Sequence, residues 1–260
     1  MGRMSLREHE ELALGRMAIL TADLERGKRS AADRERILFH LSRNARIAAI
    51  AGLLVRADTS GFNQWLRRSA SWRLQALRER KQEERPVSQF TCTGEVAPLC
   101  DAIASGADTT ARELTALSAD TWLEGAEFED DFHYGRVLQA LLTGNEGAAD
   151  VRERLSELAR SSGEDEPPRL KVCQALLALD AKSFDESLRQ LIDERAAWFR
   201  ARLGGLAPED SRFETDRFVF IEGLALVRLA ELRDLPVEEE YPFLPGLARL
   251  EASSPQDSVR

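Results

Sequence analysis

Apolar residues recur at spacings of three, four and seven along most of the chain, the period of helices that bury one face. Ile37, Leu41, Ala45, Ala48 and Val55 form one such stripe, and Phe184, Leu188, Leu191, Ile192, Trp198, Phe199 and Leu203 form another. The second opens on Ser183 and Glu186, spaced as a reciprocal capping box in which each side chain satisfies a backbone N–H of the other. Phe218, Ile221, Ala225 and Leu229 make a third stripe, flanked by Phe220, Leu224 and Val227. An apolar face that wide predicts a central helix, with Phe218, Ile221, Leu224 and Leu229 in the core. Only Val87 to Thr93 reads as extended. The pattern predicts an all-α chain of roughly ten helices.

Clusters of Gly, Pro, Ser and Asp punctuate the pattern at 27–30, 58–61, 85–94, 106–108, 144–147, 161–168 and 204–208. One arrangement recurs across them. Leu53 to Arg68 and Leu176 to Gln190 both read as a leucine pair, an Asp in a short turn, then Phe with Leu four residues on. A fainter copy begins at Leu141, 35 residues before Leu176, about the length of a helical-hairpin repeat. The physical reading is a helix that stops, turns and packs back antiparallel on itself. The tetratricopeptide consensus is not met, so the prediction is stacked antiparallel hairpins that are only partly tetratricopeptide-like.

Charge divides the chain where the pattern breaks. Residues 1–90 carry 18 basic against 11 acidic side chains, and residues 91–260 carry 18 against 34, for an overall −9. A basic helical part at 1–85 and an acidic helical part at 95–250 are expected to form one continuous domain, with a frayed tail at 251–260. Net acidity and interleaved charges argue against nucleic-acid binding. No uncharged run approaches the ~20 residues of a membrane span, and no secretory signal is evident, so no membrane role and a cytoplasmic location are expected. Cys92, Cys100 and Cys173 are too few and too dispersed for a disulfide framework or zinc ribbon.

Catalytic chemistry finds little support in the residues. His9, His40 and His133 are far apart, and paired Glu-x-x-His motifs of helical metal sites are missing. The one constellation worth weighing is Glu127, Glu129, Asp130, Asp131 and His133, where Glu127/Asp131 and Glu129/His133 would share helix faces. Acidic residues in a first helical turn, favoured by the helix dipole, explain it better than a cation site or acid pair. Neither Cys92 nor Cys100 has a neighbour that would favour a thiolate. Arg67, Arg68, Arg78 and Arg80 read as a solvated helix face, and Trp65 with Trp72 as a packed seam. No catalytic residue, metal or cofactor is expected.

The C-terminal half, in its order of motifs, resembles a known family. "DDFHYGRVLQALLTGNEGAA" is followed by "RLKVCQALLALDAKSFDESLRQLIDERAAWF", "DRFVFIEGLALVRLAEL" and a closing "PVEEEYPFLPGLARL". This is similar to the all-helical immunity proteins numbered forty-nine, which accompany polymorphic and contact-delivered bacterial toxins, type VI secretion among the delivery routes. The likeness covers roughly Asp130 to Leu250, with the N-terminal third looser. It implies neutralisation of a cognate protein toxin by binding, and it carries over no catalytic motif and no binding residues.

Immunity proteins commonly offer charge opposite to the toxin's substrate face. Three acidic surfaces are therefore candidates for contact: Glu127, Glu129, Asp130 and Asp131; Glu164, Asp165 and Glu166; and Glu238, Glu239 and Glu240. The competing readings are a tetratricopeptide-like scaffold or regulator holding a peptide partner, and a helical enzyme working through Asp130 and His133.

Overall fold

A computed structural model describes residues 4–27, 29–144, 149–163, 166–203 and 210–249. The chain is all-α. The described elements are α1 (Leu6–Glu25), α2 (Ala31–Arg56), α3 (Thr59–Gln82), α4 (Ala97–Ala104), α5 (Asp108–Leu117), α6 (Glu129–Thr143), α7 (Ala149–Ser161), α8 (Pro168–Ala178), α9 (Ala181–Arg202), α10 (Ser211–Asp216) and α11 (Ile221–Glu231). A 3₁₀ turn at Gly246–Arg249 follows, and the described residues contain no strand beyond one isolated bridge between Tyr241 and Leu244. The third copy's turn at 145–148, the Gly204-Gly205 stop and the tail from 251 lie outside the described residues.

Five of the described helices, α1, α2, α3, α9 and α10, begin where a side chain satisfies a free N–H group of the first turn. Ser5 and Glu8 form a full capping box for α1, and Ser30 accepts from the Asp33 N–H for α2. The recurrent turn has one geometry in both copies. A residue in the left-handed region, Ala57 or Leu179 (φ 54° each), ends the first helix. The next residue, Asp58 or Asp180, caps the second by accepting from the Gly61 or Ser183 N–H. Phe62 and Phe184 then enter the core, with Leu66 and Leu188 one turn later. The expected Ser183/Glu186 box is therefore corrected. The helix starts earlier, at Ala181, because Asp180 supplies the cap and holds the Ser183 hydroxyl at 2.7 Å.

Ion pairs set the register of the N-terminal helices. Arg34 and Glu79 pair at 2.7 Å at one end of α2 and α3, and Ser42 and Ser69 lie 2.9 Å apart further on, so the two run antiparallel. Arg56 grips Glu10 with both terminal nitrogens, bringing α1 back along α2. His9 Nδ1 lies 3.0 Å from the Ser211 hydroxyl and ties α1 to α10.

Two apolar clusters share α2. One face, with Ile37, Leu38, Leu41, Ala45 and Ala48, packs with Ala13 and Met17 of α1 and with Trp72 and Ala76 of α3. The other, with Ala49, Ile50 and Leu53, joins a core that runs through α3, α4, α6, α8, α9 and α11. Trp65 packs against both clusters and Trp72 against the first, as a seam. Among the described helices α2 is long and apolar enough to cross a membrane, which the sequence reading did not expect. Here 78% of that span is buried, as in a core helix.

Other expectations are corrected by packing. Val87–Thr93 forms turns, held by the Arg73 guanidinium donating to the Phe90 and Cys92 carbonyls and by Ser88 and Arg85 bonding to Glu35. Phe218 is 37% exposed because α11 starts only at Ile221, so its place in the helical stripe disappears. Trp198 and Leu203 are also half exposed, on the last turns of α9. Of the α3 arginines, Arg67, Arg68 and Arg78 do lie on an exposed face, but Arg67 also donates twice to the Ser105 carbonyl and Arg78 pairs with Glu113, while Arg80 is buried and donates to the Leu117 carbonyl. Gly135 lets α6 approach the 91–94 segment, since a Cβ there would meet the Thr93 carbonyl at 2.8 Å.

Leu224→Ala should destabilise the chain by about 2 to 5 kcal/mol through lost burial and a cavity, read as a lower urea midpoint. Asp180→Ala should lower the melting temperature, whereas Glu186→Ala should leave it unchanged. The reverse order would restore the Ser183/Glu186 cap.

Candidate functional site

Of the three acidic surfaces, the first is the one most tied into the fold. Glu129, Asp130 and Asp131 form the first turn of α6, where the helix dipole favours carboxylates. Glu127 lies outside the helix, so it shares no helix face with Asp131. Instead its Oε1 accepts from the Leu123 N–H at 3.0 Å and its Oε2 from the Gly94 N–H. Glu129 pairs with Arg160 at 2.7 Å and lies 3.7 Å from His133 Nε2. Asp131 pairs with Arg169 at 2.9 Å. Asp130 is half-buried, and no ion pair among the described residues engages it.

Glu129, His133 and Glu157 bring their ligand atoms within 4.8 Å of one another. The Arg160 guanidinium serves this group, bonding Glu129 at 2.7 Å and Glu157 at 2.6 Å, where a cation would otherwise compete. The group is thus a satisfied ion-pair cluster between α6 and α7.

In the second surface Glu166 is exposed, while Glu164 and Asp165 fall outside the described residues. In the third all three glutamates are exposed. Glu238 pairs with Arg189 at 3.2 Å, and the Glu238 and Glu239 carbonyls accept from Arg249. Among the described residues, no hydrogen bond or ion pair links one group to another.

Behind the first surface lies a charged interior that the sequence reading missed. Arg169 donates to both oxygens of Glu222 at 2.8 Å and stacks over the Tyr134 ring at 4.5 Å, and the Tyr134 hydroxyl donates to the same carboxylate at 3.0 Å. Burial alone would raise the Glu222 carboxyl, but Arg169 and Tyr134 outweigh it and hold it below the ordinary value. Burial raises Asp131 despite Arg169. Further in, Arg46 pairs with Asp101 at 3.0 Å and approaches Asp216 at 3.7 Å, and Ser69 donates to Asp101 at 2.6 Å. Asp101 is 1% exposed, and burial pushes its carboxyl up to about 6. Desolvation lowers Arg195 to about 10, although it lies between the Phe199 and Phe220 rings at 4.6 Å from each.

A cavity of about 250 Å³ opens among these groups, with Arg46, Arg169, Arg195 and Arg212 facing Glu95, Asp131, Asp216 and Glu222. Its charges balance, and most are committed to one another. Cys100 lines it, but burial raises that thiol far above the range of a nucleophile, and Cys92 and Cys173 are raised for the same reason. Of the two carboxyls raised by burial, Asp101 is enclosed by Arg46 and Ser69, and Asp131 is paired with Arg169. These are the chemical features of an interior that joins helices.

The order of helices, the closing Tyr241–Leu244 bridge and the interior between α6, α8 and α11 all fall inside one family match. The profile of the family described as Immunity protein 49 matches residues 78–247, starting in α3 and ending in the 3₁₀ turn. The chain belongs to this family of immunity proteins. The match begins 52 residues before the Asp130 start suggested by the motifs, so it takes in the contacts of Arg78 and Arg80 with α5, while Arg67 lies before it. Neither a curated protein nor a solved structure matches the chain.

The Asp101 carboxyl gives a pH signature. Its folded value lies above its unfolded one, so its stabilising contribution is complete at low pH and is lost as pH rises from about 4 to about 6. Asp101→Asn removes this loss. Its stability relative to wild type should rise across that window by on the order of 3 kcal/mol, measured by urea unfolding from pH 4 to 7. A pH-independent difference would place the Asp101 titration elsewhere.

Proposed function

We propose that the protein neutralises a cognate bacterial toxin by binding it, without catalysis of its own. Family membership is the observation that carries this reading. The chemistry of the interior supports it: the cysteines are masked by burial and the one carboxyl shifted to about 6 is enclosed. The toxin is a protein partner encoded beside the chain, and the encounter takes place in the cytoplasm.

Recognition is driven by acidic residues of the 91–260 part. The carboxylates free to face a partner are those that intramolecular pairs do not consume. Asp130, Glu166, Glu239 and Glu240 have no ion pair among the described residues, whereas Glu129, Asp131 and Glu238 do. Exposed charges of one sign speed association with a basic surface and add less to the lifetime of the complex.

Co-expression with the adjacent toxin should protect cells. Association measured by surface plasmon resonance should slow as salt shortens the Debye length from ~10 Å at 0.1 M to ~3 Å at 1 M. Reversing Glu238, Glu239 and Glu240 to lysine tests one surface, and reversing Asp130 alone tests another. Salt-independent association by wild type would remove the acidic-surface claim. Absence of binding and protection would remove the immunity reading for that pair.

A further inference from the structure

We infer that Phe128 is the apolar anchor by which this protein docks on a basic surface of its toxin. The inference rests on the immunity reading above and adds to it the residue and the chemistry of contact. Phe128 is 76% exposed, the most exposed large hydrophobic side chain among the described residues. An exposed apolar side chain on a surface is ordinary by itself. Two features set this one apart.

The first is its position. Phe128 occupies the N-cap of α6 (φ −76°, ψ 143°) and makes no side-chain capping bond. Ser5, Ser30, Asp58, Asp180 and Asp210 cap their helices through a side-chain oxygen, and Val96, Ala107, Pro167 and Phe220, which like Phe128 make no such bond, are buried or half-buried, whereas Phe128 stands in solvent. At α6 the chain carries an aromatic ring where a small polar residue would hold the helix better, and turns that ring to solvent. A local rule broken with no gain inside the fold points to a role outside it.

The second is that the ring stands on a backbone already fixed. The Glu127 carboxylate holds the Leu123 and Gly94 N–H groups, and Trp122 Nε1–H donates to the Glu127 carbonyl at 3.2 Å. On the other side, the Phe128 carbonyl accepts the first helical bond from Phe132 at 3.0 Å. Glu127 is thus a positioning residue and not a contact. An aromatic side chain presented on an ordered backbone loses little freedom on binding, the property of interface anchors.

Charge identifies the partner's surface. Residues 119–131 contain six carboxylates and no Lys or Arg. Glu129 and Asp131 are paired and Glu127 is spent on the backbone, which leaves Asp120 and Glu124, both exposed, and Asp130 without an ion pair among the described residues, in the same segment as the ring. The complementary surface is an apolar recess rimmed by Lys and Arg. Such a rim affects the on-rate, and the ring affects the off-rate.

The test uses Phe128→Asn, which removes the ring, keeps the charge and supplies a capping side chain. Against the toxin domain encoded beside the chain, the variant should melt no lower than wild type yet dissociate at least about tenfold faster. Ile19→Asn, at a residue 72% exposed on α1, should bind as wild type does. Wild-type binding with a Phe128→Asn off-rate within about twofold would overturn the anchor and leave the immunity reading standing. Failure of wild type to bind that toxin would overturn both. Equal losses in Phe128→Asn and Ile19→Asn would show a diffuse effect and also overturn the anchor.

Discussion

Arg169 is the point on which the C-terminal helices depend. It stands in the first turn of α8 and reaches Glu222 in the first turn of α11 and Asp131 in the first turn of α6, with Tyr134 beneath it. Two helix starts thus place carboxylates where their own dipoles favour negative charge, and a third supplies the cation between them. A half-buried pair of this kind recovers its desolvation cost only when every member is in place, and removing one strands the others. The three first turns are therefore fixed together. The 119–131 segment, which runs directly into α6, takes its orientation from this junction.

The same economy of charge runs through the rest of the fold. The basic excess of residues 1–90 is used against later segments: Arg46 meets Asp101 and Asp216, Arg78 meets Glu113, and Arg67 and Arg80 take the free carbonyls at the ends of α4 and α5. Helix ends need such donors because their last carbonyls have no partner within the helix. What remains at the surface of the later part includes carboxylates without an ion pair among the described residues, three of them in the 119–131 segment that also carries the exposed Phe128 ring.

The helices were legible because burial of one face imposes a period on sequence, and the all-α reading and the repeated Asp turn followed from it. The ends of helices were less legible. Ser183 and Glu186 have the spacing of a capping box, yet Asp180 captures the role because its carboxylate follows a residue in the left-handed region. Phe218 has the right spacing to Ile221 but lies before the helix begins. The interior network was not legible, since Arg46 and Asp101 are 55 residues apart and Arg169 and Glu222 are 53 apart, beyond any local pattern. Glu127, read as a surface charge, turned out to be a backbone clamp. Phe128 passed unnoticed between acidic neighbours because only the fold shows which aromatic rings find a core.

The most direct measurement is hydrogen exchange of the protein alone and bound to the toxin domain encoded beside it. Amides of 119–132 should gain protection on binding, while those of the buried helix α2 stay as they were. Protection confined to other surfaces would contradict the placement of the interface, and no protection at saturating toxin would contradict binding itself.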